Sequence, residues 1–106
     1  MAAQDTIFHA LSDPTRRSLL EYLLTEGEAN VVRLTKVAGV SQPAVSKHLA
    51  TLKSAGLVLD RPEGRQTRYS AKPDGLWPLY DWLQFYSAFW DRKIDALADT
   101  LKRMDQ

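Results

Sequence analysis

Residues 41–56, S-Q-P-A-V-S-K-H-L-A-T-L-K-S-A-G, constrain the fold more than any other stretch of the chain. They describe one short helix with both ends marked. Ser41 is suited to accept a hydrogen bond from a free first-turn N–H, and Pro43 has no N–H to leave unpaired there. Gly56 supplies a left-handed stop. Val45, Leu49 and Leu52 recur at helical spacing as a narrow apolar stripe; Pro43, Lys47, Ala50 and Ser54 lie opposite, with Gln42, Ser46 and Lys53 on one flank. A face this small, polar and basic is what a helix needs to approach base edges in a DNA major groove. Taken alone, the stretch is equally well served, and more commonly, by a solvated amphipathic helix. Its neighbours decide the matter.

Upstream, residues 5–11 read as a short first helix with Ile7, Phe8 and Leu11 apolar. S-D-P-T then restarts the chain, with Asp13 as N-cap and Pro14 as first helical residue of a second helix whose Leu19, Leu20, Leu23 and Leu24 form a core stripe up to Gly27. Arg16 and Arg17 open this helix; Arg16 either points at phosphate or is half of a solvated pair. After a loop E-G-E-A, Asn30 caps a third helix with Val31, Leu34 and Val37 inward, stopped by Gly39. Two short helices joined by a glycine-containing turn, the second with a polar outer face, make residues 30–55 a helix-turn-helix. The strand-like L-V-L-D-R, the turn P-E-G-R and the extended Q-T-R-Y-S then predict a β-hairpin over residues 57–70, a wing with Arg61, Arg65 and Arg68 around its tip.

From residue 76 to 103 the sequence predicts one longer helix. Leu79, Leu83, Tyr86, Trp90, Ile94, Leu97 and Leu101 repeat at gaps of three and four, and Trp82, Phe85 and Phe89 add a second apolar stripe. One stripe docks a helix on its own domain; two leave a surface to be covered from outside. The same helix of a second copy across a two-fold axis is the economical cover, and a pocket for a small molecule is the second choice.

At 106 residues the chain has room for a single domain, residues 1–106, and one modest core. It has no cysteine, which removes disulfides, thiolate metal sites and thiol redox chemistry. Two histidines, His9 and His48, lie far apart without carboxylates at ligand spacing, so no metal site and no cofactor is expected. Without a cysteine nucleophile, a glycine-rich phosphate loop or a histidine acid–base motif, the chain is not expected to be an enzyme and has no catalytic residues to nominate. The net charge of +1 hides an uneven distribution. Residues 33–68 hold seven basic and two acidic side chains, whereas the segments before and after are acidic on balance. One basic segment between acidic flanks suits a domain that presents a single face to a polyanion. No apolar run is long enough for a membrane and the first residues do not read as a secretory signal, so a cytoplasmic protein is expected.

Three motifs in order resemble the ArsR/SmtB family of winged helix-turn-helix repressors: L-S-D-P-T-R-R-S-L-L at residues 11–20, V-S-Q-P-A-V-S-K-H-L at 40–49, and L-x-x-A-G-L-V at 52–58 with the following E-G-R. The resemblance covers essentially the whole chain. It implies a mainly α fold with a two-stranded wing and a long C-terminal dimerisation helix, and a homodimeric repressor that binds double-stranded DNA at a pseudo-palindromic operator. It places Gln42, Pro43, Ser46 and Lys47 at base edges and adjacent phosphates and Arg61, Arg65 and Arg68 in the wing; with Ser41, His48 and Lys53 these are the residues expected at the DNA. Of these, His48 stands beside the buried stripe and is a packing or second-rank contact. The dimer interface is expected to draw on Ile7, Phe8, Leu79, Leu83, Tyr86, Phe89, Trp90, Ile94, Leu97 and Leu101. The cysteine pair of arsenic-, cadmium- or lead-sensing members and the histidine ligands of zinc-sensing ones are missing, so the resemblance is to metal-independent members. An unidentified small-molecule effector between the aromatic last helix and the DNA-reading unit remains a candidate. The alternative from another class is a winged-helix protein-interaction module whose basic face docks an acidic partner.

Overall fold

The computed structural model describes residues 3–105. Along the chain run α1 (Ala3–Leu11), α2 (Pro14–Glu26), β1 (Ala29–Asn30), α3 (Val31–Ala38), α4 (Gln42–Ser54), β2 (Val58–Glu63) and β3 (Gln66–Ala71). A 3₁₀ turn (Pro73–Leu76), α5 (Trp77–Gln84) and α6 (Ser87–Met104) follow. The strands form an antiparallel sheet in the order β1-β3-β2, giving a winged helix-turn-helix.

Local chemistry sets the helix ends. The side chains of Asp13, Asn30 and Ser41 accept from the N–H groups of Arg16 (3.0 Å), Arg33 (2.9 Å) and Ala44 (3.3 Å), so three helices are capped by the residues the sequence nominated. Gly39, at φ 70°, ends α3 in the left-handed region and lets the chain turn at once into α4. The core lies between α2, α3, α4 and the sheet: Leu19, Leu34, Leu49, Leu52, Val45 and Leu57 are fully buried, with Leu20, Leu23, Val58 and, from α1, Ile7 and Ala10 around them. The stripe of α4 is buried as its spacing requires. Two other stripes are narrower than periodicity implied. Leu24 and Val37 are exposed, because α2 and α3 are gripped from one side, into which Leu19, Leu20 and Leu23 of α2 and Leu34 of α3 point.

The wing is tighter than the sequence suggested. Pro62 and Glu63 belong to β2, and only Gly64 and Arg65 form the loop. Gly64 has φ 62° and Arg65 does not share the positive φ, which is the two-residue II′ pattern. Glu63 and Gln66 close the loop as a hydrogen-bonded pair, so Pro62, opposite Thr67, sits where no N–H is needed toward β3. The wing also gains a third strand. Ala29 and Asn30 pair with Tyr69 and Arg68, in a segment that the sequence presented as loop and cap.

The single C-terminal helix expected over residues 76–103 is two helices. The chain enters by the 3₁₀ turn, and the helix breaks at Phe85 and Tyr86. There Phe85 N–H and Tyr86 N–H bond back three residues to Trp82 and Leu83, and the Ser87 hydroxyl takes the Gln84 carbonyl. A serine hydroxyl competing for that carbonyl, among aromatics that lose rotamer freedom in a helix, accounts for the break. Beyond it α6 leaves the domain. Every residue from 80 to 105 is exposed, and the principal intrachain contact of α6 is with α5. The radius of gyration is 18.8 Å, with extents of 67 × 30 × 20 Å, against about 13 Å for a compact domain of this length.

Candidate nucleic-acid interface

The first turn of α4 presents Gln42, Pro43, Ser46 and Lys47 to solvent, held at its start by the Ser41 cap. Across from it, the wing loop brings Arg65, and between the two runs an open cleft of about 330 Å³. Gln42, Ser46, Arg65, Gln66, Thr67 and Tyr69 line it, and Asn30 and Val32 close one end. The start of α3 and the wing are tied by the Asn30 amide donating to Gln66 Oε1 at 3.1 Å. Helix, loop and wing tip thus form one continuous surface with hydrogen-bonding groups from three elements. Gln66, Thr67 and Asn30 were not among the residues the sequence pointed to; their only sequence signal was polarity beside the wing arginines, and Asn30 was already accounted for as a cap.

The wing arginines are not equivalent. Arg61 and Arg68 are cross-strand partners on the same face of the sheet. Arg61 is paired with Glu28 and with Glu63 (3.2 Å), and Arg68 also with Glu63 (3.3 Å). The Glu28 carboxylate, by hydrogen bond and charge, holds the Arg61 guanidinium above even its usual pKa. Lys53 is likewise paired, with Asp60 at 3.0 Å. Among the described residues Lys47 and Arg65 are in no ion pair, so the unpaired positive charge of this surface is concentrated at the α4 first turn and the wing loop.

One further residue differs from expectation and another meets it. Arg16 is directed at protein, not outward: its Nε donates to the Ala10 carbonyl (2.6 Å), a terminal nitrogen donates to the His9 carbonyl (3.1 Å), and the other lies 3.3 Å from His48 Nδ1. His48 is half-buried and faces α2, as its place beside the stripe implied. The Asp13 carboxyl is held below its ordinary value by the Arg16 N–H, with His48 and the Arg16 charge adding to the effect against a desolvation cost.

The residues expected at a dimer interface fall into three groups. Ile7 is 2% exposed within the protomer's own core and has no surface to offer a partner, which corrects its assignment; α1 turns that face onto α2. Leu79 is half-buried against the core, and Phe8 meets Trp82 edge to face at 5.1 Å, docking α5 on α1. Leu83, Tyr86, Phe89, Trp90, Ile94, Leu97 and Leu101 are all exposed. Among the described residues no helix is long and apolar enough to cross a membrane.

Comparison with known proteins places this geometry. Residues 13–59 match the family model described as "Bacterial regulatory protein, arsR family". An HTH-type transcriptional regulator of Mycobacterium tuberculosis is 40% identical over 92% of this chain and 87% of its own length. The arsenical resistance operon repressor of Escherichia coli is 39% identical over 63% of this chain and 57% of its own. Among solved structures, an ArsR-like transcriptional regulator from Rhodococcus sp. RHA1 superposes with a TM-score of 0.71 at 33% identity, covering 92% of both chains.

Proposed function

The chain belongs to the arsR family of bacterial regulatory proteins and is a DNA-binding transcriptional regulator, and from that premise we propose that it is a homodimeric repressor that occupies a pseudo-palindromic operator. The carrying observation is the juxtaposition of the α4 first turn with the wing loop. Gln42 and Ser46 supply short hydrogen-bonding groups for base edges, and Lys47 and Arg65 supply charge for flanking phosphates. In this reading α3 crosses the backbone, α4 enters the major groove and the wing loop reaches the adjacent backbone. His48, Lys53, Arg61 and Arg68 act at second rank, through the contacts that hold them.

The dimer is supported by what α6 lacks. Trp90, Ile94, Leu97, Leu101 and Met104 repeat at gaps of four and three along a helix with no intrachain cover, the seam spacing of paired helices. A second copy buries that seam and sets two reading heads on successive major grooves. We therefore assign residues 30–55 to the helix-turn-helix, 57–70 to the wing and α5 with α6 to dimerisation, all within one domain. A protein that reads chromosomal duplex works in the cytoplasm. None of the 106 residues is a cysteine, so the soft thiolate ligands suited to arsenic are not among them, and the arsenical response named for the Escherichia coli relative is not extended to this chain.

The deciding experiment is selection of duplexes from a random pool by the purified protein, with its mass measured in solution. An inverted repeat recovered by a dimer is the expected result. A folded protein that enriches no sequence overturns the operator reading and favours a protein-interaction role.

A further inference from the structure

We infer that Arg16 is a positioning residue for base reading, holding the recognition helix α4 through His48 while it closes the end of α1. The inference rests on the DNA-reading role proposed for α4. One guanidinium meets three elements: its own helix α2, the last carbonyls of α1 and the ring of His48 on α4. The Ala10 carbonyl lies in the final turn of α1, where no helical N–H follows to satisfy it. The His9 carbonyl already accepts from the Ser12 N–H (3.2 Å) and hydroxyl (2.7 Å) and takes a guanidinium nitrogen as well; a cation there also complements the helix dipole. That fixes the guanidinium. A guanidinium only donates, so the His48 Nδ1 it faces must be the unprotonated nitrogen, and the ring is an acceptor held from outside its own helix.

The consequence for α4 is geometric. His48 follows Lys47 directly and stands one turn from Ala44, so a fixed ring fixes the roll of the helix whose other side carries Gln42, Ser46 and Lys47. A roll of about 10° displaces atoms about 6 Å from a helix axis by roughly 1 Å, which is enough to spoil a bidentate contact with a base. The other end of the linkage is α1, whose Phe8 packs on Trp82 of α5. Arg16 therefore stands where the α1/α5 layer meets the reading helix.

The charged groups facing the His48 ring are Arg16 and Asp13, both at the start of α2, while α1 contributes backbone carbonyls through Arg16.

The test measures affinity for the selected duplex and for an unrelated duplex in the full chain and in three variants. His48→Asn keeps an acceptor near the place of Nδ1, His48→Leu removes it, and Arg16→Met removes the donor. The expected result is that H48N retains specific affinity and that H48L and R16M lose it by about tenfold, one base contact's worth, with unrelated duplex bound within about twofold. The ¹⁵N shift of His48 Nδ1, read without DNA, is expected to change in R16M, which tests the linkage even if no specific duplex exists. Equal loss of specific affinity in H48N and H48L, an unchanged ratio of specific to unrelated binding in R16M, or an unshifted Nδ1 resonance overturns the assignment.

Discussion

At the scale of single residues, the useful distinction is between charges committed within the protein and charges left for a ligand. Arg61, Arg68 and Lys53 are drawn into pairs with Glu28, Glu63 and Asp60, whereas Lys47 and Arg65 are not. Exposed pairs of this kind add little to stability, but they lower the number of phosphates the surface neutralises. Lys47→Gln should reduce the slope of log affinity against log salt by about one unit per protomer, with a similar loss on every duplex. Glu63→Gln should steepen the slope, by freeing Arg68 while Arg61 keeps its pairing with Glu28, and raise affinity for unrelated DNA; identical slopes for the two variants would contradict the division. Asp13 gives a stability prediction. Its carboxyl is depressed in the folded state, chiefly by the Arg16 N–H, so its contribution is complete above the ordinary value of 3.8 and is lost as pH falls through the folded value. Melting temperature measured from pH about 5 down to about 3 should fall less steeply in Asp13→Asn, which caps without titrating, than in the wild type.

Among the elements, α2, α3, α4 and the hairpin were legible because each carries its own punctuation: Asp13 and Pro14, Asn30 and Gly39, Ser41 and Gly56, and the E-G-R loop. What sequence did not disclose depends on partners distant along the chain. β1 is two residues long and exists only because β3 lies beside it, too short for any periodicity to register. The carboxylate partners of the wing arginines come from positions as remote as Glu28, and spacing along one strand says nothing of them. The same holds for Arg16, whose sequence neighbours suggested solvent and whose three contacts are tertiary. The break in the last helix had a local cause at Ser87, but the apolar repeat runs straight through it and conceals it. One inter-element contact is tight enough to predict from. The 3₁₀ turn approaches the end of α4 so closely that a Cβ on Gly75 would lie 1.9 Å from the Gly56 carbonyl oxygen. The atoms it would meet, the Gly56 carbonyl and the Leu57 Cα, are all backbone and not the free end of a side chain. Gly75→Ala should therefore lower the melting temperature by several degrees, as a cost of about 1–3 kcal/mol does in a domain of this size, and disturb amide resonances at the C-terminal end of α4. An unperturbed spectrum would show that the turn can move away freely.

For the whole molecule, the dominant fact is that the DNA-reading unit is packed and the C-terminal helix is not. The core closes around α2, α3, α4 and the sheet without help from residues 80–105. The proposed dimerisation would add an interface to a domain already folded, and stability should then depend on protein concentration. Melting temperature is expected to rise with concentration in the wild type. The double variant Ile94→Glu and Leu97→Glu should sediment as a monomer, keep the near-ultraviolet signature of its reading unit, and bind an inverted repeat no better than a single half-site. A stable dimer with two buried glutamates in the seam would move the interface elsewhere.

The break at Phe85 and Tyr86 has a mechanical side as well. It makes α6 an arm about 27 Å long at 1.5 Å per residue, joined to α5 through two residues. Tilting that arm by about 10° swings its far end by roughly 5 Å, more than one base-pair step of about 3.4 Å. In the proposed dimer, the tolerance for operators with an extra or missing base pair between half-sites is then a measure of how stiff that joint is, and substitutions at Ser87 are a means of tuning it from outside the DNA surface.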